Sequence, residues 1–207
     1  MPYNPSLHHR RSIRLKGYDY SQAGSYFITI CVKDRAHLYS IIENGKMILN
    51  DAGEMINKWW QKIPEKFPDI ELAAYQIMPN HFHAIIINNG PGITAAAAVR
   101  ADPCVCPLMI GDDADAETIW GEHNFDDTKS GEHVGSPLQD ILQWFKTMTT
   151  NEYIRGVKNL GWTRFNGKLW QRNYWEHIIR DEQSYNRISD YIINNPAKWL
   201  DDKFYMQ

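Results

Sequence analysis

Residues 71–87 read Glu71-Leu72-Ala73-Ala74-Tyr75-Gln76-Ile77-Met78-Pro79-Asn80-His81-Phe82-His83-Ala84-Ile85-Ile86-Ile87. Pro79-Asn80 is a turn signal between two strand-like runs. The second run is β-branched enough to lie near the centre of a sheet, and Asn88-Asn89-Gly90-Pro91-Gly92 closes it. Upstream, residues 25–32 read as a strand, and residues 38–49 as a hairpin around Glu43-Asn44-Gly45-Lys46. Asp51 and Glu54 form a capping-box pattern for a helix on which Met55, Trp59 and Ile63 recur every four residues, ended by Pro68.

Downstream, Ser136-Pro137-x-Gln139 starts a helix with Leu138, Ile141, Leu142, Phe145 and Met148 on one face. Residues 169–179 alternate aromatic and polar types and read as a further strand. Asp181 caps a last helix that ends before Pro196. The element order around the two histidines predicts an α+β fold of the ferredoxin-like (RRM-like) type, an antiparallel sheet with helices packed on it. There are no internal repeats.

A length of 207 residues and 43% hydrophobic content suit one domain spanning 1–207. Residues 93–135 lack periodicity and read as an acidic insertion or long loop. They hold nine acids against Arg100 and Lys129, so the net charge of −3 hides a remainder with 20 basic and 16 acidic residues. The densest basic run, residues 8–16, contains Arg10, Arg11, Arg14 and Lys16. Such a run can track phosphates or simply be solvated. No apolar run approaches the roughly 18 residues of a membrane helix, and the basic N-terminus lacks the apolar stretch of a secretory signal. Cys31, Cys104 and Cys106 follow no disulfide framework, so the expectation is free thiols and a cytoplasmic location.

His81 and His83 stand two apart in a strand, so both imidazoles emerge on one face and can hold a divalent metal, while Phe82 points to the other. Tyr191 and Asn195, four apart in the last helix, share a face. A phenol is a nucleophile toward phosphorus once its pKa of about 10 is effectively lowered. An amide oxygen one turn away can complete a metal site. On chemistry alone Tyr174, Tyr185 and Tyr191 stand equal as nucleophiles, and any of them can be core. The expected geometry is a histidine pair side by side, facing Tyr191, in a site open to solvent. Arg172 and the basic N-terminus are candidates for holding phosphates. Trp170 and Trp175 are conceivable stacking platforms, with core packing the preferred reading for both.

The segment Met78-Pro79-Asn80-His81-Phe82-His83 resembles the HUH motif (histidine, hydrophobic, histidine) of single-tyrosine transposases. Three blocks are similar to REP-associated tyrosine transposases within that superfamily: residues 11–29, residues 169–182 with Leu169-Trp170-Gln171-Arg172-Asn173-Tyr174-Trp175-Glu176-His177, and Asp190-Tyr191-Ile192 followed by Asn195-Pro196. The resemblance implies a HUH nuclease fold, Tyr191 as the residue that attacks DNA, and Mg²⁺ or Mn²⁺ held by His81 and His83. It implies a third ligand one turn beyond the tyrosine, at Asn195 or the adjacent Asn194. It also implies single-stranded or hairpin DNA with short palindromic repeats as substrate, and action as a monomer or homodimer. The chemistry it implies is cleavage and strand transfer through a 5′-phosphotyrosine link, which needs no ATP. The alternative is a non-catalytic nucleic-acid-binding module of RRM-like fold.

Overall fold

The structure, a computed structural model, describes residues 18–90 and 138–205. The expected insertion at 93–135, the basic residues Arg10, Arg11, Arg14 and Lys16, and the Ser136-Pro137 helix start lie outside the described residues. The elements are β1 (Gly24–Cys31), β2 (Ser40–Glu43), β3 (Lys46–Leu49), α1 (Asp51–Gln61), α2 (Ile63–Lys66), β4 (Ile70–Ile77), β5 (His81–Asn88), α3 (Leu138–Asn159), β6 (Trp175–Ile179) and α4 (Glu182–Asn194), followed by a 3-10 segment, Pro196–Asp201.

The main sheet has the order β4-β5-β1-β6, and every neighbouring pair runs antiparallel. Taken as β1-α1-β4-β5-α3-β6, this is the split β-α-β arrangement of the ferredoxin-like fold, as the element order predicts. The β2–β3 hairpin is an addition between β1 and α1. Asn44 and Gly45 make its turn at φ 52° and 71°, the paired positive angles of a two-residue type I′ turn that matches the strand twist.

Strand parity divides the core. Tyr26, Ile28, Ile30 and Val32 of the β1 segment pack with Phe82, with Ile56 and Trp60 of α1, and with Ile141, Leu142 and Phe145 of α3. The Trp60 ring meets Phe82 at 4.7 Å and Phe145 at 5.4 Å between centroids. The opposite face carries Phe27 and Ile85, against which Ile188 and Ile192 of α4 pack. Burying both faces explains why β5 is nearly continuous in apolar residues apart from its histidines.

Two local expectations are corrected. The cap of α1 is Asn50, not Asp51: its Oδ1 accepts from the Gly53 N–H at 2.9 Å, and Asp51 becomes the first helical residue. Residues 169–179 are not one strand. Trp170 makes an isolated bridge to Val32, and regular pairing starts at Trp175. Asp181 does cap α4, accepting from Ser184 N–H at 2.7 Å. No described helix is long and apolar enough to cross a membrane.

The C-terminal half of α3 is shaped by Gly156. A Cβ there would sit 2.2 Å from the Trp162 ring, which packs on Tyr153 at 5.3 Å. Gly156→Ala is expected to force that ring outward and to destabilise by about 2 kcal/mol, typical of overpacking. Thermal unfolding would register it as a Tm lower by roughly 4–8 °C; an unchanged Tm would mean that Trp162 yields freely.

Candidate active site

Strand β5 supplies the centre of the site. With Phe82 turned into the core, His81 and His83 face α4, and their Nε2 atoms approach to 3.0 Å. The other nitrogen of each ring is tethered. His81 Nδ1 lies 2.8 Å from Asn80 Oδ1, and His83 Nδ1 lies 2.8 Å from Thr29 Oγ1. Asn80 is fixed in turn, because its Nδ2 donates to the Phe204 carbonyl at 2.9 Å. Asn80 Oδ1 can only accept, so His81 carries its proton on Nδ1 and turns the Nε2 lone pair to the centre. Thr29 can accept from His83 Nδ1–H in the same way.

Helix α4 brings the tyrosine. The Tyr191 Oη is 3.3 Å from His83 Nε2, and it donates to Asp202 Oδ2 at 3.4 Å. Its ring stands edge-on to Phe27 and leans on His83, with centroids 6.2 and 5.3 Å apart. Of the three tyrosines, Tyr191 is the one whose hydroxyl is placed beside the histidine pair among the described contacts. Tyr174 is buried in the main core and Tyr185 packs with the apolar cluster under α4.

One turn on, Asn195 is 2% exposed, donates through Nδ2 to Asp202 Oδ2 at 2.9 Å, and has an Oδ1 without a hydrogen-bond partner. Asn194, the other candidate ligand, is exposed and bonds back to the Asp190 carbonyl. Asp202 is the residue that sequence reasoning missed. Its Oδ1 accepts from the Phe204 N–H at 2.6 Å, and donor atoms of His81, His83 and Asp202 all lie within 4.8 Å of one another. Only the 3-10 segment Pro196–Asp201, which folds the chain back after α4, brings this acid to the histidines.

The donor set suits a divalent cation. Two nitrogens at right angles on metal arms of about 2.1 Å stand about 3.0 Å apart, which is the spacing of the Nε2 pair. The orphaned, buried Asn195 Oδ1 adds an oxygen donor and Asp202 a charge. Burial holds both imidazoles neutral: His81 falls well below its ordinary value, with the His83 charge adding to the effect, and His83 falls to about 3. Neutral imidazole is the form that ligates. Tyr191 moves the other way, up to about 12, through burial and the neighbouring Asp202, so at neutral pH it is a phenol.

The expectation of an open site is corrected. His81 and His83 are 0% and 1% exposed. Phe204 lies over the His81 ring at 4.5 Å and Trp199 flanks it at 5.9 Å. Arg35 holds the covering segment, through the Lys203 carbonyl at 3.0 Å and over the Phe204 ring at 5.1 Å. Among the described residues at the site, Tyr191 is the exposed one, at 40%.

Arg172 is not at the histidine pair. It lines an open cleft of about 790 Å³ with Lys146 and Lys168, where Lys146 Nζ donates to the Gln171 and Arg172 carbonyls at 3.0 and 3.4 Å. Trp170 is core, donating to Thr149 Oγ1 at 2.9 Å, but Trp175 is 64% exposed and the core reading fails there. Trp175 sits on an edge strand of the main sheet, with no further strand beyond it among the described residues.

The buried neutral histidines give a pH signature. The unfolded chain takes up protons near 6.5 that the folded chain refuses down to about 3. Stability is therefore full above about 6.5 and falls as pH drops through that window. In chelator, the urea midpoint is expected to fall between about pH 7.5 and 5, and less steeply in His83→Gln. Equal slopes would contradict the burial of a neutral His83.

No protein-family profile matches the chain. A Haemophilus influenzae protein described as uncharacterized is 39% identical over 207 residues, covering 99% of this chain and 97% of that one. A second protein from the same organism, named for the REP-associated tyrosine transposases, is 24% identical over 183 residues, covering 87% and 74%. Among solved structures, a REP-associated tyrosine transposase bound to a REP hairpin is similar with a TM-score of 0.48 at 18% identity, covering 92% of this chain and 74% of that one. The chain belongs to one family with the first Haemophilus protein, and its sequence is similar to that of the second, which is named as a REP-associated tyrosine transposase.

Proposed function

We propose that the protein is a metal-dependent single-stranded DNA endonuclease and strand transferase, acting on short palindromic (hairpin) DNA and serving DNA transposition. The observation that carries the reading is the meeting of Tyr191 Oη with the His81–His83 pair, a phenol 3.3 Å from His83 Nε2 on a separate element. Three of the expected residues converge there, and so does Asp202, which was not expected. The related protein named for REP-associated tyrosine transposases supports the substrate class.

His81, His83 and Asp202 would hold Mg²⁺ or Mn²⁺, with Asn195 Oδ1 as a further donor. Such a cation supplies Lewis-acid polarisation of a non-bridging phosphate oxygen. The protein's own part is positional and protonic. Helix α4 would present the phenol oxygen to the phosphorus, with Phe27 and His83 holding the ring. The Tyr191 oxygen forms a bond to phosphorus as the bond to the 3′ oxygen breaks. The phenol proton leaves toward Asp202 Oδ2, the acceptor it already faces, and the departing 3′ oxygen is protonated from solvent. The product is a 5′-phosphotyrosine and a free 3′-hydroxyl, which can attack in reverse and rejoin strands. Phe204 and Trp199 shield the His81 side of the pair from solvent.

Incubation with single-stranded hairpin DNA and Mn²⁺, followed by denaturation, is expected to yield a covalent protein–DNA adduct. Hairpin binding without an adduct, under every divalent metal tried, would instead favour the non-catalytic module of RRM-like fold.

A further inference from the structure

We infer that Trp175 is a stacking platform for an unpaired base of the DNA strand beside the scissile phosphate, a subsite on the exposed edge strand β6. The sheet register carries the argument. Thr29 pairs with His83 on one side and with Trp175 on the other. Residues directly opposite in a ladder point to the same face, so His83, Thr29 and Trp175 form one row across the sheet. Thr29 lies within hydrogen-bond distance of His83 Nδ1, which fixes that face as the one carrying the site. Two strand spacings of about 4.8 Å place Trp175 about 10 Å from His83, the reach of roughly three stacked nucleotides at about 3.4 Å each.

Exposure separates Trp175 from the molecule's other described tryptophans. It is 64% exposed, whereas Trp59, Trp60, Trp170 and Trp199 are buried and Trp144 and Trp162 are half-buried. Its surroundings in sequence are polar: Arg172 precedes it, His177 stands two residues on along the same face, Arg180 follows the end of the strand, and all three are exposed. An exposed aromatic plane in a stretch that also carries Arg172 and Arg180 has the composition of a single-strand binding track, in which planes take bases and cations take phosphates. A protein interface would instead surround the ring with further apolar surface. The row also lies near Tyr191, the exposed residue of the site, since Phe27, which touches Tyr191 and His83, is the β1 residue paired with His177.

The inference rests on the proposed DNA substrate, and its test is kept separate from the chemistry. Fluorescence anisotropy would compare one labelled hairpin, blunt at its foot, with the same hairpin carrying single-stranded flanks of increasing length. The unaltered protein is expected to bind flanked hairpins more tightly once the flank spans the row. Trp175→Ala is expected to lose about tenfold to hundredfold of that affinity, leaving blunt-hairpin binding, salt dependence and thermal stability unchanged. Trp175→Phe, which keeps a π face, is expected to retain most of it. Equal affinities of Trp175→Ala and the unaltered protein at every flank length would overturn the inference. So would a loss independent of the flank, or sedimentation showing that Trp175→Ala dissociates a dimer, which makes the ring a contact between copies. Absence of a covalent adduct in the unaltered protein would sink the nuclease reading, while the flank-dependent binding would still decide the role of Trp175.

Discussion

Tyr191→Phe is expected to abolish covalent adduct and strand cleavage while hairpin binding survives. The substitution removes one oxygen and keeps the ring, so its contacts with Phe27 and His83 persist and packing changes little. What disappears is the only atom of α4 that approaches both His83 Nε2 and Asp202 among the described contacts. Loss of a nucleophile leaves no residual route to a phosphotyrosine, so the adduct should fall below detection. Tyr185→Phe and Tyr174→Phe are the controls and should cleave nearly normally, since both rings lie within apolar clusters. Cleavage that persists in Tyr191→Phe and is lost in a control would reassign the nucleophile. Full activity in all three would end the single-tyrosine mechanism.

The second large effect is expected on metal affinity, measured without turnover. A ligand that binds only the folded state raises stability by mass action, by about 2.7 kcal/mol at a hundredfold excess over Kd. Mn²⁺ should therefore raise the Tm of the unaltered protein. In His81→Ala and His83→Ala that rise should vanish, because each removes one of the two nitrogens that define the 3.0 Å pair. Asp202→Ala should weaken Mn²⁺ binding by at least about tenfold to hundredfold, the range seen even for residues that merely orient metal ligands. Asp202→Asn keeps an oxygen donor without the charge, so it separates the two parts proposed for this side chain. Retained Mn²⁺ binding with lost cleavage would assign Asp202 to the phenol proton. Mn²⁺ stabilisation unchanged in both histidine variants would rule out the histidine pair as the cation site.

Much of this architecture was written in local patterns. The alternation of His81, Phe82 and His83 fixed which side chains share a face, because strand parity is a backbone property independent of what packs around it. The Asn44-Gly45 turn and the Asp181 cap were equally local, resting on positive φ angles and a side chain reaching its own backbone. The order of elements was enough for the ferredoxin-like sheet, since few topologies accommodate two split β-α-β units.

Tertiary structure decided everything that depends on sequence-distant neighbours. Three tyrosines were chemically equivalent until α4 placed the Tyr191 oxygen beside His83, 108 positions away in sequence. Asp202 carried no signal, because an acid beyond the last helix is ordinary until a 3-10 segment turns it back onto the site. The covering of the histidines by Phe204 was hidden for the same reason. Trp170 and Trp175 were indistinguishable by composition and were separated by position alone: one crosses the end of β1 beneath α3, the other stands on an edge strand facing solvent. Local sequence specifies dihedral angles and faces, whereas burial and the assembly of a site are set by which faces meet.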